Sequence, residues 1–233
     1  MKENLAQYRS RLSTYKALIY LGIVSGMAEL AYGIMNQSAI PPYVQELGLT
    51  AHIGIIFAAF LLVETGFKSP MGSLGDRWGK VRSVRTGLLI SAAAMWTITV
   101  VRGVRELATA GMFLGIGFVL AMPAWLALVS DMASPWTRGA VIGALGTAQG
   151  VGAILGASAG SYLYKMVRID LWGIEFATAN SHYSLFVVSA GALTICLGLS
   201  LLFVKEGDRR RIAVPDDGGQ FASKGGSEGC KAR

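Results

Sequence analysis

The chain has 233 residues, of which 53% are hydrophobic and only 15% charged, with a net charge of +7. A soluble domain carries about 25% charged residues. Here the charges are also segregated: residues 107–130, 139–164 and 176–204 contain no Asp, Glu, Lys or Arg, giving uncharged runs of 24, 26 and 29 residues. A helix needs roughly 20 apolar residues to cross a hydrocarbon core, so these runs argue against a water-soluble helical bundle. The basic residues flank apolar runs, which argues against nucleic acid as a partner and for membrane lipid.

In chain order, residues 1–16 form a polar N-terminal segment ahead of an apolar run of full spanning length. That is the pattern of a signal anchor rather than of a cleavable signal peptide. Six spans follow, at 17–37, 50–69, 84–102, 107–130, 139–163 and 183–204. Each must be helical, because lipid offers no partners for backbone N–H and C=O groups. Pro41 and Pro42 fall in the first connection, Pro70 ends the second span and Pro135 lies in the fourth connection. Pro123, inside the fourth span, predicts a bend. The transmembrane domain is thus 17–204. Residues 205–233 are rich in Gly, Ser and charge and cannot bury enough apolar surface to offset their ordering entropy, so they are expected to be a disordered tail.

Orientation follows from Lys and Arg. With the N-terminus in the cytoplasm, 17 of them fall inside and 4 outside, the latter being Arg102, Arg105, Lys165 and Arg168. Both termini are therefore expected to be cytoplasmic, in a multi-pass protein of the inner or plasma membrane. Tyr15, Tyr20, Tyr43, Trp78, Trp136, Tyr162, Tyr164, Trp172 and Tyr183 lie near span ends, as interfacial aromatics do.

Little points to an enzyme or a metal. His52 and His182 are the only histidines, both near predicted external ends, and Cys196 and Cys230 are far apart in the sequence. No Asp-x-x-Asp pair and no Gly-x-x-x-x-Gly-Lys-Ser/Thr phosphate loop occur, so no catalytic residue, cofactor or ATP-driven step is expected.

The polar residues inside the spans are few. Glu29 is the most costly, since a carboxylate at mid-bilayer depth costs on the order of 3 kcal/mol on insertion scales. Ser25, Glu29, Tyr32 and Asn36 recur at spacings of 4, 3 and 4 and share one face of the first helix. Gln149, in the fifth span, is the other deep polar group. These five are the candidates for a substrate or proton cavity. The alternative for Glu29 is a protonated group hydrogen-bonded within the bundle. Glu64 lies one turn before Lys68 and is assigned to a local ion pair. Gly152, Gly156 and Gly160 recur at spacing four, with Gly139, Gly143, Gly146 and Gly150 nearby, a pattern that lets helices approach closely in membranes. Gly22 and Gly26 in the first span read the same way.

The second connection reads Gly72-Ser-Leu-Gly-Asp76-Arg77-Trp-Gly79-Lys80-Val-Arg82. It resembles the Gly-x-x-x-Asp-Arg-x-Gly-Arg/Lys-x-Arg/Lys signature between the second and third helices of major facilitator superfamily transporters. The stretch from Ala121 through Pro123 to Asp131, leading into Arg138-Gly139, is similar to the family's fourth helix and the opening of its fifth. The resemblance covers roughly residues 15–206. It implies an all-α membrane fold of six transmembrane helices, half of the family's bundle, built as a 3+3 repeat. It also implies a conformational-switch motif of Gly72, Asp76, Arg77, Gly79, Lys80 and Arg82, with Asp131 and Arg138 in the same charge network. A helix-end cap and an interfacial anchor remain the alternative for Asp131 and Arg138. Two departures count against drug/proton antiport. Gly111 stands where those antiporters carry an Arg ahead of Gly115-Ile-Gly117. Gly156-Ala157 and Gly160-Ser161 replace their Gly-Pro and Gly-Gly pairs.

The function implied is a secondary active transporter component that moves a small solute by alternating access. The competing expectation is a truncated or non-transporting scaffold with the half-bundle fold. Because the family pairs two six-helix halves, a second half is expected as partner, either a homodimer or a separate chain.

Overall fold

The computed structural model of the chain describes residues 2–133, 136–166 and 182–203, with side chains placed over 18–133, 136–162 and 185–202. The tail expected over 205–233 lies outside the described residues, as does most of the connection before the last helix. Every described element is helical: α1 (Lys2–Gly33), a π-helical stretch (Ile34–Ala39), α2 (Ile40–Glu46), α3 (Ile53–Gly66), α4 (Lys68–Trp78), α5 (Lys80–Val100), α6 (Val104–Met132), α7 (Arg138–Met166) and α8 (His182–Phe203). Five helical runs are long and apolar enough to cross a membrane, and a sixth crossing is the pair Thr50–Gly66 and Lys68–Trp78, bent by 54°. With that bent pair taken as one span, the count is the six expected from the sequence.

The first crossing is longer than its hydropathy suggests. It runs from Leu18 to Glu46, and Pro41 and Pro42 lie within it rather than in a connection. A proline lacks an N–H and its ring crowds the carbonyl four residues back. The chain accommodates both rings by widening one turn first: the Ile40 N–H donates to Met35 O, five residues back. The prolines then occupy the opening turn of α2, where N–H groups need no partner. The run stops at Gly48, whose φ of +70° places it in the left-handed region. The Leu49 N–H returns to Val44 O at 2.9 Å and the Gly48 N–H to Gln45 O at 3.0 Å, which closes the helix end.

Pro70 acts by the same chemistry. It denies a donor to the Gly66 carbonyl, and the helix breaks at Phe67 (φ −102°, ψ 2°) before α4 resumes. Glu64 and Lys68 span this break with an ion pair of 2.9 Å, as their spacing assigns. The bend therefore falls before Pro70, and the second crossing continues to Trp78. Gly79 is the single residue between α4 and α5; its φ of +99° is one that side chains rarely tolerate.

α1 packs along α7 and against α8, α5 lies between α6 and α8, and α3 packs on α6. Burying a Leu against another helix gains little when the alternative is lipid, so close van der Waals fit has to hold such pairs. Two glycine crossings provide it. A Cβ on Gly87 would sit 2.6 Å from Gly117 O, and one on Gly26 would sit 3.0 Å from Ala148 O. Gly152, Gly156 and Gly160 all face α1 at similarly close range, whereas Gly139, Gly143, Gly146 and Gly150 have nothing within 4 Å. The glycines of α7 therefore divide between a packed face and an open one. Around the bundle Ile19, Leu62, Ile154 and Leu202 are each more than 60% exposed, a surface suited to acyl chains and not to water. Trp78, Trp136, Tyr20 and Tyr162 are exposed near the ends of crossings, but Tyr43 is buried: its hydroxyl donates to Val101 O at 2.6 Å and its ring meets Phe186.

Candidate functional site

The polar row on α1 is held by three neighbouring helices. Gln149 of α7 donates from Nε2 to Ser25 Oγ at 2.7 Å, and the same nitrogen lies 3.5 Å from Met122 Sδ of α6. Two turns further along, about 10 Å, the Tyr32 hydroxyl donates to Ser91 Oγ of α5 at 2.6 Å. The Tyr32 ring stands edge-on to Phe118 of α6 at 4.9 Å, and Phe118 in turn meets Phe60 of α3. Ser25 and Tyr32 are buried, so their polar groups are satisfied inside the bundle at almost no cost in exposed dipoles.

Glu29 lies between these two anchors and differs from both. It is half-buried, and among the described residues no hydrogen bond reaches its carboxyl group. Glu64 of α3 is near enough to act on it electrostatically. Asn36, one turn beyond Tyr32, is likewise half-buried. The face read from the sequence is thus split. Ser25, Tyr32 and Gln149 lock helices together, while Glu29 and Asn36 keep part of their surface open. Ser91, Phe118 and Met122 belong to the same cluster and are not flagged by the sequence. Ser91 lies on α5 and Phe118 and Met122 one turn apart on α6, and only the packing brings them to α1.

The signature turn forms a second cluster. A Cβ on Gly75 would just touch Ser83 and Ala124, and one on Gly72 would lie 3.9 Å from Pro123 Cβ, so the glycines seat α4 on α6 beside the proline. Lys80, the first residue of α5, donates from Nζ to Asp131 Oδ2 at 2.6 Å and lies 3.4 Å from Ala127 O. Asp76, Arg77, Arg82 and Arg138 are exposed. Of the motif's charges, the structure brings together Lys80 and Asp131. Asp76 and Arg77 sit at the end of α4 and make no ion pair among the described residues.

Gly111 is buried where α6 crosses α3: a Cβ there would sit 3.7 Å from Ile56 O, and one on Gly115 3.0 Å from Phe60 O. Here the missing Arg is replaced by helix contact. Gly156-Ala-Ser158-Ala-Gly160 has the spacing of a serine nucleophile elbow. It lies in the middle of α7, whereas an elbow requires a strand-to-helix turn, so the match is one of spacing alone.

Six crossings, a glycine-seated turn between the second and third, and a partly buried carboxylate in the first define a multi-pass helical membrane protein with a polar interior. A sequence profile of the Major Facilitator Superfamily matches residues 21–224, and the chain belongs to that family of transporters. It is 32% identical over 165 residues to a "Probable actinorhodin transporter" of Streptomyces coelicolor, covering 66% of this chain and 26% of that protein. It is 28% identical over 179 residues to "Multidrug resistance protein MdtH" of Aeromonas hydrophila, covering 76% of this chain and 45% of that one. It is 27% identical over 176 residues to "Multidrug resistance protein MdtG" of Klebsiella pneumoniae, covering 72% and 39%. The chain spans less than half the length of each of these relatives.

Proposed function

We propose that the chain is the six-helix component of a secondary transporter that moves a small organic solute by alternating access, with both of its ends on the cytoplasmic side. The observation that carries this reading is Glu29, a half-buried carboxylate in a membrane-crossing helix with no hydrogen-bond partner among the described residues. An acid in that setting is expensive unless it meets water, a proton or a cationic group of a solute. The names of the relatives, drug resistance and an antibiotic, support a drug-sized organic solute. The Gly111 and Gly156-Ala157 departures set the chain apart from the proton-coupled antiporters of that kind, so the coupling ion is left open.

A second six-helix half completes the transporter in this reading. The support is the open face of α7, where a Cβ on Gly139, Gly143, Gly146 or Gly150 would meet nothing within 4 Å among the described residues. The test is reconstitution. The full chain is placed in liposomes alone and together with a candidate second half, and uptake of a lipophilic cation and of a neutral drug is followed. Transport that needs both halves and falls with Glu29→Gln supports the reading. Transport that is indifferent to Glu29 and to the second half defeats it.

A further inference from the structure

At the end of the bundle opposite the signature turn, α5 and α6 border a groove of about 590 Å³. Its floor is small and buried, made by Ala94 and Ala110, and its sides are Ile90, Ala93 and Phe113. Two threonines also line it, but both hydroxyls are spent on their own helices. Thr97 donates to Ala93 O at 2.9 Å and Thr109 to Arg105 O at 2.7 Å. The walls therefore offer methyl groups and no free donor, which favours a hydrocarbon over a polar solute.

The mouth is different. Arg105 and Glu106, adjacent in the first turn of α6, both line it and both are exposed. Among the described residues no ion pair engages either one. The Glu106 carboxylate is folded back against Gly103, the residue that caps the helix N-terminus. The groove runs from this turn back to Ile90, ten residues before the end of α5, a depth of about 15 Å. That is half of a ~30 Å hydrocarbon core, the thickness of one leaflet.

We propose that this groove binds one phospholipid of the zwitterionic, primary-amine class. One acyl chain lies along Ala93, Ala94 and Phe113, the phosphate meets Arg105, and the ammonium meets Glu106. Both signs of charge at the mouth match a headgroup that carries both. A purely anionic headgroup would leave Glu106 facing a like charge, and a quaternary amine would give Glu106 no hydrogen to accept.

The test is lipid retention by the purified full chain, read by native mass spectrometry. Phosphatidylethanolamine, phosphatidylcholine and phosphatidylglycerol of matched chain length compete in the same detergent. The wild-type chain is expected to retain the ethanolamine lipid about tenfold over the others, the size of one charge-assisted hydrogen bond. Arg105→Gln should lose retention of all three. Glu106→Gln should lose the preference and hold the glycerol lipid as well as the ethanolamine lipid. Ala93→Phe fills the groove without touching a charge and should also lose retention. All three positions are exposed, and an unchanged helical circular-dichroism signal verifies folding. Equal retention of the three lipids by the wild-type chain overturns the proposal, and so does wild-type retention by either Arg105→Gln or Ala93→Phe. An Arg105 that only anchors the helix end to the interface would give that second result.

Discussion

Lys80 and Asp131 are each placed where a helix dipole disfavours them, and the Lys80 side chain reaches across to the end that favours it. Lys80 opens α5, where the backbone presents positive charge, and Asp131 sits in the last turn of α6, where it presents negative charge. The Lys80 ammonium extends to the α6 terminus, 2.6 Å from Asp131 Oδ2 and 3.4 Å from Ala127 O. The exchange joins the third crossing to the fourth beside the glycine turn. It would be lost if the two helix ends moved apart.

The first prediction concerns this pair. Lys80 is 18% exposed and Asp131 54%, so solvent screening limits the contribution to roughly 0.5–1 kcal/mol. Lys80→Gln and Asp131→Asn should each lower the stability of the chain in detergent by about that much. The exchange Lys80→Asp with Asp131→Lys should recover most of it. Thermal unfolding of the four chains checks this, and an exchange no better than the worse single variant would show that the charges do not act as a pair.

The second prediction separates the two faces of α7. A Cβ at Gly152 or Gly156 would collide with the α1 backbone, so Gly156→Val should prevent assembly of the bundle, at a cost of several kcal/mol. Gly146→Val meets open space and should leave the isolated chain folded. If a second half covers that face, the same Gly146→Val should abolish association with it. Size-exclusion chromatography with and without the partner reads both outcomes.

The third prediction is that Glu29→Gln folds and inserts normally. The side chain keeps its shape and breaks no hydrogen bond among the described residues. Transport by the complete assembly should fall at least about tenfold, the loss of one charged contact. A silent substitution in a working uptake assay would remove Glu29 from the solute or proton path.

The fourth prediction concerns orientation. Ser73 and Arg102 are exposed at opposite ends of the bundle. In a chain with Cys196 and Cys230 replaced by Ala, an impermeant thiol reagent applied to intact cells should modify Arg102→Cys and spare Ser73→Cys. The reverse pattern would invert the placement argued from the Lys and Arg distribution.

Much of this architecture is legible in the sequence, because hydropathy and charge-free length respond to the same lipid that selects the fold. The last three crossings match the spans read at 107–130, 139–163 and 183–204 within a few residues. The first crossing escapes that reading. Pro41 and Pro42 look like a connection, since nothing in residues 34–39 announces the wide turn that lets a helix carry them. The site is legible in part. Spacing alone puts Ser25, Glu29, Tyr32 and Asn36 on one face, but it cannot say which of them finds a partner. That depends on Ser91 and Phe118, brought to α1 by helices far away in the sequence. Likewise the signature supplies several bases for Asp131, and only the packing of α5 on α6 selects Lys80.

The wide turn at Ile34–Ala39 also acts as a phase shift. One additional residue in a turn rotates everything after it by about 100°. In an unbroken α-helix Tyr43, seven residues after Asn36, would extend the polar row beside Glu29 and Tyr32. Rotated, it leaves the row, buries its ring against Phe186 and ties the end of the first crossing to Val101 at the α5–α6 turn. The row of polar groups therefore ends at Asn36 because of backbone geometry and not because the sequence runs out of polar side chains. Deleting one residue between 34 and 39 would take up that additional residue: the helix would become regular, while Tyr43 and everything after it would keep the facing that ties the first crossing to Val101.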